Sequence, residues 1–537
     1  MRRPSLRSPV ADDKFDLVTH VADSTSLLLA SYEALPYQGH AIPPTHPDSL
    51  ASAARLRGID TPDVTSCRVL DLGCATGENI ISMALSLPGS SFVGVDLSPR
   101  QIDAARETAR LLGLDNVHFE AMSIADIDDR FGAFDYIVSH GVYSWVPSDV
   151  QSALLGVCAR NLAPDGIAYV SYNTYPGWHL RGLMRDMLLF HDRIELPPSE
   201  RVTRGRELVE FLAKSVLPSE QVYGALLQEE FTLLTEASDT YFLHEQLEAV
   251  NHPVYFREFA ARAQAAGLRF VGEAQLSAWD AQLTDATRGV IKAWAKDDVS
   301  YEQYLDFLRG RSFRRSLLCR ADVSVDAEVS PAAVASLYLS ARCAPDPSAP
   351  EAQQPGVEVF RTPKGLAVTL NHPMLRAALH ALIDAAPARL SFDDLCARTR
   401  HRLDGSESMG FASEMLADAM LRSSLLHLVG LHVVPAACAT SLPPRPVANP
   451  LARLQARTSG LVASFTNQNL KLSNFDRFIV SHTDGTRDRD ALVNLTADAL
   501  VRGELTLEGA ASPTRDELSA AVSFSLRQFL LNGLLAR

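Results

Sequence analysis

Short apolar runs rich in β-branched residues alternate with helical patterns from Cys67 onward. This alternation is typical of βαβ units, in which helices join parallel strands. Five units of this kind predict an α/β fold with an open, doubly wound, Rossmann-like sheet over residues 67–194. The predicted strands are Arg68–Leu72, Ser91–Asp96, Val117–Glu120, Phe134–Ser139 and Gly166–Tyr172, and the predicted helices are Gly77–Ser86, Pro99–Leu112 and Ser148–Leu162.

Residues 195–265 contain long charged amphipathic stretches, such as Glu207–Leu217 and Tyr241–Leu247, and are predicted to be helical. Leu268–Glu273 and Phe313–Cys319 then have the pattern of two further strands. We expect these two strands to complete the same sheet as a terminal antiparallel pair. The helices of 195–265 would then be an insertion, and residues 266–343 would contain the end of the core.

The N-terminal part of the chain precedes this alternation. Residues 1–14 are polar and are expected to form a flexible tail. Residues 15–66 are expected to form a cover segment, with a helix over Phe15–Ala30 and a Pro-rich stretch after it.

The C-terminal part divides at Pro-rich breaks. Residues 344–356 (APDPSAPEAQQPG) have the composition of a linker. Residues 357–440 have a helix–helix–helix–hairpin pattern, which predicts a winged-helix-like α+β domain, and residues 451–537 are predicted to be a mixed α/β segment. The helices predicted here are His372–Ala385, Phe392–Arg400 and Phe411–Arg422 in the first unit, with the hairpin over Leu425–Val434, and Arg489–Arg502 and Arg515–Asn532 in the second.

The turn after the first predicted strand carries the strongest chemical signal. The strand ends at the acidic Asp71, and a turn with Gly73 and Gly77 opens the next helix. Glycines let the backbone approach a ligand, and free N–H groups at a helix start can bind a carboxylate. A dinucleotide site favours GxGxxG, whereas Ala75 stands at the second glycine position here. The turn therefore favours S-adenosylmethionine (SAM) as the cofactor, with Cys74 as a small packed residue within it.

Two further elements follow in the order that a nucleoside site requires. Asp96 ends the second predicted strand, where its carboxylate can accept both ribose hydroxyls. Residues 121–126, after the third strand, provide apolar walls and a polar edge for an adenine. Each element alone is also explained by an ordinary turn or a helix cap, but their order and spacing together favour a cofactor site.

The assembly resembles a class I SAM-dependent methyltransferase. More narrowly, it resembles the bacterial family that joins such a domain to a methyltransferase regulatory domain, whose members include rickettsial protein-lysine methyltransferases acting on outer-membrane protein. The stretches that carry this narrower resemblance are Ser31–Tyr37 with Thr45–Pro47, Ser139–Pro147, Tyr172–His179, and Leu243–Leu247 with Asn251–Phe256.

This resemblance implies roles for individual residues, a protein substrate and a homodimer. Asp71, Gly73 and Gly77 would hold the methionine end of SAM, Asp96 the ribose, and His140 with Gly141 the floor beside the sulfonium. Tyr37, Thr45 and His46 would fold over the cofactor. The complete set of expected cofactor-binding residues is Tyr37, Thr45, His46, Asp71, Gly73, Cys74, Gly77, Asp96, Leu97, Ser123, Ile124, His140 and Gly141.

Methyl transfer is an in-line displacement, which needs positioning and desolvation more than a strong acid or base. Tyrosine oxygens and aromatic faces are suitable neighbours for the positively polarised methyl group. We therefore expect Tyr37, His140, Tyr143, Trp145 and Tyr172 at the reacting centre, with no single side chain acting as an essential general base.

Charge and composition restrict the partners. The chain of 537 residues has 50 Lys and Arg against 64 Asp and Glu, a net charge of −14, which disfavours binding to nucleic acid. The seven cysteines are scattered without metal-ligand spacing, and His244, Glu245 and His252 do not form an HExxH motif, so no metal is expected. Reduced cysteines, no signal peptide and no long apolar run favour a cytoplasmic protein without a membrane partner.

Two alternatives remain open from the sequence. The chain could be a methyltransferase for small molecules or natural products, with accessory domains that control entry. It could instead be a SAM-sensing regulator that binds DNA through the winged helix, although the third helix of 357–440 carries Glu414 and Asp418 with only Arg422 at its end.

Overall fold

The computed structural model describes residues 29–37, 39–215, 221–276, 283–403, 405, 411–506 and 513–537. The tail predicted over 1–14 and most of the helix predicted over Phe15–Ala30 lie outside these residues, and residues 29–34 are helical. The central element is a seven-stranded sheet with the strand order β3-β2-β1-β4-β5-β7-β6. Its strands are β1 Arg68–Leu72, β2 Ser91–Asp96, β3 Val117–Ala121, β4 Phe134–Ser139, β5 Leu162–Asn173, β6 Leu268–Glu273 and β7 Phe313–Arg320.

The first five strands are parallel, and β7 is antiparallel to both β5 and β6. The order reverses between β1 and β4, and this switch point places the carboxyl ends of β1, β2 and β4 around one crevice. Buried apolar clusters cover both faces of the sheet. The predicted parallel sheet and its terminal antiparallel pair are both confirmed.

After the helical residues 29–34, the described part of the chain before the insertion contains the helices α1 Pro47–Arg55, α2 Glu78–Ser86, α3 Pro99–Leu112 and α4 Ser148–Asn161, besides short 3-10 turns. Ser98 caps α3 by accepting a hydrogen bond from the Gln101 amide at 3.2 Å, and Gly113 ends the helix at φ +66°. The helix α3 therefore begins almost directly after β2, whereas a turn of five residues precedes α2 and a longer loop with a 3-10 turn over Tyr143–Trp145 precedes α4.

The segment between β5 and β7 is mostly helical. It contains α5 Trp178–His191, α6 Pro198–Ser215, α7 Gln221–Glu236, α8 Asp239–Phe242, a π-helix over Leu243–Leu247, α9 Phe256–Ala265, α10 Asp285–Trp294 and α11 Asp298–Arg309. The segment leaves the sheet at Asn173, contributes the edge strand β6, and re-enters the sheet as β7 at Phe313, which is paired with Asn173 across β5 and β7. The sheet therefore continues on both sides of the insertion.

The next region is built around a small sheet with the order β12-β8-β13. Its elements are β8 Tyr338–Ala341, β9 Ala344–Pro345, β10 Glu358–Arg361, β11 Ala367–Leu370, α12 Pro373–Ala385, β12 Leu390–Ser391, α13 Phe392–Arg402, α14 Ser413–Leu425 and β13 Val429–His432. Asp48 of α1 anchors this region, because its carboxylate accepts hydrogen bonds from Arg389 at 3.0 Å and from the Val433 amide at 2.7 Å.

Two expectations about this region are corrected. The run Leu425–Val434 does not form a hairpin, since its one strand, β13, pairs with β8 far upstream in the chain. Residues 344–356 are not a bare linker, because β9 pairs with β10 and Asp346 binds Arg361 at 2.8 Å. The composition of 344–356 indicated turns correctly, but pairing with a distant strand leaves no local signal.

The last region contains α15 Pro450–Gln455, the two-stranded sheet of β14 Leu461–Ala463 and β15 Asn469–Lys471, α16 Asn474–His482, α17 Arg489–Val501 and α18 Arg515–Leu531. Asn469 reaches back to the N-terminal part of the chain, where its side chain bonds both the amide and the carbonyl of Ala41. The C-terminal region is thereby packed against the segment that leads into the crevice.

Candidate functional site

A cavity of about 230 Å³ opens at the switch point of the sheet. We define two walls of this cavity. The sheet wall consists of the lining residues between 71 and 150 together with Phe313, and the cover wall consists of the lining residues 32–42 together with His244 and Glu245. The lining residues are Tyr32, Tyr37, Gly39, His40, Ile42, Asp71, Gly73, Cys74, Ala75, Asn79, Asp96, Leu97, Gln101, Ser123, Ile124, His140, Gly141, Val142, Trp145, Val146, Pro147, Val150, His244, Glu245 and Phe313.

The turn after β1 forms the start of the sheet wall. The amides of Gly73 and Cys74 both donate to the carbonyl of Val95, at 2.8 and 3.1 Å, which draws the turn against β2. Gly73 has φ +80°, and a Cβ atom at this position would collide with the side chain of Val142. Only glycine fits without strain at this point of the wall. Burial raises the pKa of the Asp71 carboxyl to about 7, against the lowering effect of its hydrogen bond with Asn79.

Asp96 stands at the end of β2. One carboxylate oxygen accepts from the amide of Ala75 at 2.9 Å and the other from the amide of Ser98 at 3.0 Å. Burial raises its pKa, and the two amides oppose that shift. Each carboxylate oxygen has a second acceptor site, so the fixed group can also receive two hydroxyl donors from a ligand. Leu97, Ser123 and Ile124 line the same part of the cavity, as predicted from the sequence.

His140 and Gly141 follow β4 and form the floor. His140 Nδ1 lies 2.8 Å from the hydroxyl of Tyr169, and the amide of Gly141 donates to Ser171 at 2.8 Å. Burial, together with the charges of Arg315 and His40, lowers the pKa of His140 to about 3, so the ring is neutral at physiological pH. Gly141 has φ +68° and open space where a Cβ would stand. The floor is therefore uncharged and sterically open, which suits a cationic ligand group above it.

The cover wall is held by long-range hydrogen bonds. His244, in the π-helix, donates from Nε2 to the carbonyl of Leu35 at 2.7 Å, and its ring stacks on Tyr32 with 4.5 Å between centroids. Its Nδ1 lies 2.7 Å from Glu248, which also accepts from Ser31 at 2.5 Å. These bonds tie residues 31–35 to the insertion. At the other end, Glu33 accepts a hydrogen bond from Ser98, beside Asp96.

Glu245 differs from its neighbour because its carboxylate has no hydrogen-bond or ion-pair partner among the residues that the structure describes. Burial raises its pKa from 4.5 to about 7, although the charges of Arg181, Arg185 and His244 lower it. From the sequence, His244 and Glu245 are considered only as a candidate metal motif, which their spacing excludes, whereas the structure places both residues in the lining of the cavity. The LHEQL motif identifies this stretch as a family marker, but nothing local to it shows which residues it will face.

Five expected site residues do not reach the cavity. Gly77 has φ +80°, and a Cβ there would lie 2.9 Å from the Phe119 ring, on the side of the turn that packs between helix and sheet. The ring of Tyr143 packs edge-on against Phe259, and the hydroxyl of Tyr172 bonds Ser316 at 3.0 Å. Both tyrosines are fully buried in the core, whereas Trp145 lines the cavity as expected.

Thr45 and His46 also support the site from behind. The Thr45 hydroxyl donates to the carbonyl of Ile42 at 2.8 Å and accepts from Asn79 at 3.0 Å. His46 caps α1 by accepting from the Asp48 amide at 3.1 Å, and its other ring nitrogen lies 3.0 Å from the hydroxyl of Ser86. Burial lowers the pKa of His46 to about 4. These two residues fix the start of α1 and are not among the residues that line the cavity.

Several lining residues are absent from the sequence-based list. Tyr32 lies within the motif Ser31–Tyr37, and Val142, Val146 and Pro147 lie within Ser139–Pro147; both motifs carried the family resemblance. Ala75 lies in the predicted cofactor turn, and His244 and Glu245 lie in the motif Leu243–Leu247, but none of the three was expected to line the site. The remaining lining residues had no signal because their position depends on tertiary packing, and they are Gly39, His40, Ile42, Asn79, Gln101, Val150 and Phe313.

Three family models match separate parts of the chain. Residues 63–231 match a methyltransferase domain, residues 238–320 a predicted methyltransferase regulatory domain, and residues 444–534 the C-terminal winged helix domain of PKMT. The chain is 32% identical over 525 residues to the uncharacterized protein RP789 of Rickettsia prowazekii, covering 94% of this chain and 93% of that protein. The chain belongs to the PKMT family of class I methyltransferases.

Solved structures agree with this assignment. PKMT2 from Rickettsia typhi matches with a TM-score of 0.83 at 26% identity, over 93% of this chain and 100% of that one. Its complex with S-adenosylhomocysteine (AdoHcy) matches with a TM-score of 0.84 over the same shares. The chain is therefore a SAM-dependent methyltransferase.

The family models also refine how the site and the domains are understood. The regulatory-domain match begins before His244 and ends after Phe313, so this region supplies cavity residues and not only an outer attachment. The winged-helix match falls on 444–534, within the segment that the sequence pattern described only as mixed α/β. The winged-helix pattern that we assigned to 357–440 lies outside that match and stays a prediction.

Two negative observations apply within the described ranges. No helix there is both long and apolar enough to cross a membrane. No three His, Cys, Asp or Glu side chains in those ranges converge in a way that could hold a metal ion.

Proposed function

We propose that the chain is a protein-lysine N-methyltransferase. The observation that supports this most is the match to PKMT2, the rickettsial protein-lysine methyltransferase, over almost the full length of both chains. The winged-helix match to the PKMT family, at the end of the chain remote from the methyltransferase match, adds a second and separate point of similarity.

For the cofactor, we assign SAM to the cavity because its walls fit the parts of that molecule. Asp71 and Gly73 would hold the methionine end, with Cys74 packed behind it, and Asp96 would receive the ribose hydroxyls. Leu97, Ser123 and Ile124 would border the adenine, and His140 with Gly141 would lie beside the sulfonium. When bound, SAM supplies a methyl group on a positively charged sulfur.

For the transfer itself, the chain provides position and desolvation. Tyr37 and Trp145 line the cavity on opposite walls and present aromatic surface to a polarised methyl group. The neutral ring of His140 places no competing cation at the floor. A lysine side chain that enters this largely buried space has a lowered amine pKa, which raises the fraction of reactive amine.

The acceptor can be tested with methyl-labelled SAM and a cell extract. One half of the extract is first treated with acetic anhydride to block lysines, and both halves are then incubated with the purified chain. We expect label in polypeptide of the untreated half and little in the acetylated half. Label in low-mass products would support a small-molecule methyltransferase instead, and label that is insensitive to acetylation would exclude lysine.

The proposal includes a cytoplasmic location and a homodimer. All seven cysteines are free, as expected for a reducing compartment. The face of α5 exposes Leu180, Leu183 and Phe190, the last with 94% of its surface accessible, and such apolar patches are typical of interfaces. Light scattering on the purified chain should give twice the monomer mass of 58.5 kDa. A monomer at micromolar concentration would contradict the dimer.

A further inference from the structure

We propose that Glu245 binds the ammonium group of the acceptor and takes its proton before methyl transfer. This inference rests on the proposed function, since it specifies how an amine acceptor would be received. It differs from the expectation, drawn from the sequence alone, that no single side chain acts as an essential base.

The geometry of the cover wall singles out this carboxylate. Glu245 lines the cavity from the π-helix, beside Tyr37 and across from the cofactor positions of the sheet wall. Its neighbour His244 is fixed through both ring nitrogens and by stacking on Tyr32, so the backbone that carries Glu245 is held in place. The Glu245 carboxylate itself has no partner among the described residues, and it faces space that a ligand can enter.

The surroundings of this carboxylate fit an ammonium group. Tyr32, Tyr37, Trp145 and Phe313 line the same cavity, and aromatic faces stabilise a cation. A carboxylate adds the opposite charge and accepts a charge-assisted hydrogen bond. Among the residues that the structure describes, Glu245 is the one acidic residue of the cover wall, because the other carboxylates of the cavity, Asp71 and Asp96, belong to the sheet wall.

The charged groups around Glu245 leave it able to exchange a proton. Arg181 and Arg185 of α5 face it, together with His244, Tyr32, Tyr37 and Tyr241. Both arginines have other partners: Arg181 lies 3.7 Å from Glu230, and Arg185 donates to the carbonyl of Glu248. Burial outweighs their charge and raises the pKa of Glu245 to about 7, which is suitable for a base at neutral pH.

The reaction balances with the groups named. One N–H bond of the acceptor ammonium breaks, and its proton passes to a carboxylate oxygen of Glu245. The lone pair left on nitrogen forms the new N–CH₃ bond, while the S–CH₃ bond breaks with its electron pair remaining on sulfur. The products are a methylated ammonium and neutral AdoHcy, and Glu245 later releases its proton to water.

A binding experiment tests the ammonium site without any acceptor. Sinefungin is a SAM analogue in which a carbon bearing a primary amine replaces the methylated sulfur, so it places a cation near the transfer position. In calorimetry on the full chain, E245Q should lower the affinity for sinefungin by about 10-fold or more and change the affinity for AdoHcy less than twofold. E236Q, the same chemical change at an exposed position of α7, should affect neither ligand. Equal effects of E245Q on the two ligands would overturn the proposal.

The pH dependence tests the proton transfer. The substrate is an acceptor protein identified by the experiment with methyl-labelled SAM described above. The wild-type kcat/KM for this protein should fall as the pH drops below about 7, because Glu245 must be ionised to act. E245Q should lower kcat/KM by about 100-fold near pH 7.5 and move the acid limb up toward the lysine pKa of about 10. A parallel profile of E245Q and wild type would show that Glu245 is not the base.

The outcomes separate this inference from the proposed function. If lysine is not labelled but E245Q weakens the binding of sinefungin and not that of AdoHcy, the lysine acceptor is rejected and the ammonium site is kept. If E245Q no longer binds AdoHcy, E245D serves as the second variant and should show an intermediate loss of sinefungin affinity with AdoHcy binding kept. Loss of both ligands in both variants would identify Glu245 as a structural carboxylate and overturn the inference.

Discussion

The two walls of the cavity are built on different principles. The sheet wall follows from strand order. Asp71, Asp96 and His140 stand at the carboxyl ends of β1, β2 and β4, which lie side by side in the order β2-β1-β4. The cover wall follows from side chains that meet across the chain, as when His244 bonds the carbonyl of Leu35, 209 residues away. The sheet-wall residues 71–150 lie within the methyltransferase-domain match, whereas His244 and Glu245 of the cover wall lie within the regulatory-domain match. We infer that the sheet wall contributes most of the cofactor affinity, whereas the cover wall encloses the bound cofactor and receives the acceptor.

The largest expected effect comes from removing a carboxylate of the sheet wall. Asp96→Ala should weaken AdoHcy at least about 100-fold by calorimetry, because two charge-assisted hydrogen bonds are worth about 3–6 kcal/mol together. Asp103→Ala, at an exposed position of α3, is the matched control and should bind AdoHcy as wild type does. Unchanged AdoHcy affinity in Asp96→Ala would contradict the assignment of Asp96 to the ribose and the inference that the sheet wall binds the cofactor.

A second variant tests the support behind the sheet wall. Gly77→Ala should lower the free energy of unfolding by about 3 kcal/mol. The alanine would have to adopt the left-handed backbone conformation of Gly77, and its Cβ atom would collide with the Phe119 ring. Gly113→Ala has a similar φ but nothing within 4 Å, so it should cost only about 1 kcal/mol. Equal costs in denaturant unfolding would contradict the packing role that the structure gives Gly77.

The third variant weakens the cover wall. His244→Phe keeps a ring to stack on Tyr32 but loses the hydrogen bonds to Leu35 and Glu248. We expect AdoHcy affinity to fall by about 10-fold, consistent with two lost bonds of about 0.5–1.5 kcal/mol each, and limited proteolysis before residue 40 to become faster. His401→Phe, at an exposed position of α13, is the control. Unchanged proteolysis in His244→Phe would show that these bonds do not hold the cover.

The smallest effect is expected for a residue that the sequence placed at the reacting centre. Tyr172→Phe removes the hydroxyl that bonds Ser316 in the core, so stability should fall by about 1 kcal/mol. Because this hydroxyl does not face the cavity, kcat/KM for methyl transfer should change less than threefold. A loss of turnover with AdoHcy binding intact would restore Tyr172 to the catalytic group.

The sheet wall could be predicted from sequence because its signals are local. The strands β1, β2 and β4 have the predicted bounds, since apolar runs with clear ends determine them, and Gly73 and Asp96 follow at fixed distances. The sides on which Gly77 and Tyr172 lie could not be predicted, because a turn glycine or a strand-end aromatic suits either a ligand or a core. Glu245 was missed for a related reason: its exposure to the cavity depends on a cover segment from the other end of the sequence.

The bond between Leu35 and His244 also orders events during synthesis. A ribosome adds about 5–20 residues per second, so roughly 10–40 s separate the appearance of these two partners. Until the π-helix has emerged, the bonds of His244 and Glu248 to residues 31–35 cannot form, and β7 has not yet joined β5, whereas the bond between Glu33 and Ser98 can already form. Complete assembly of the cover over the crevice is therefore coupled to completion of the insertion.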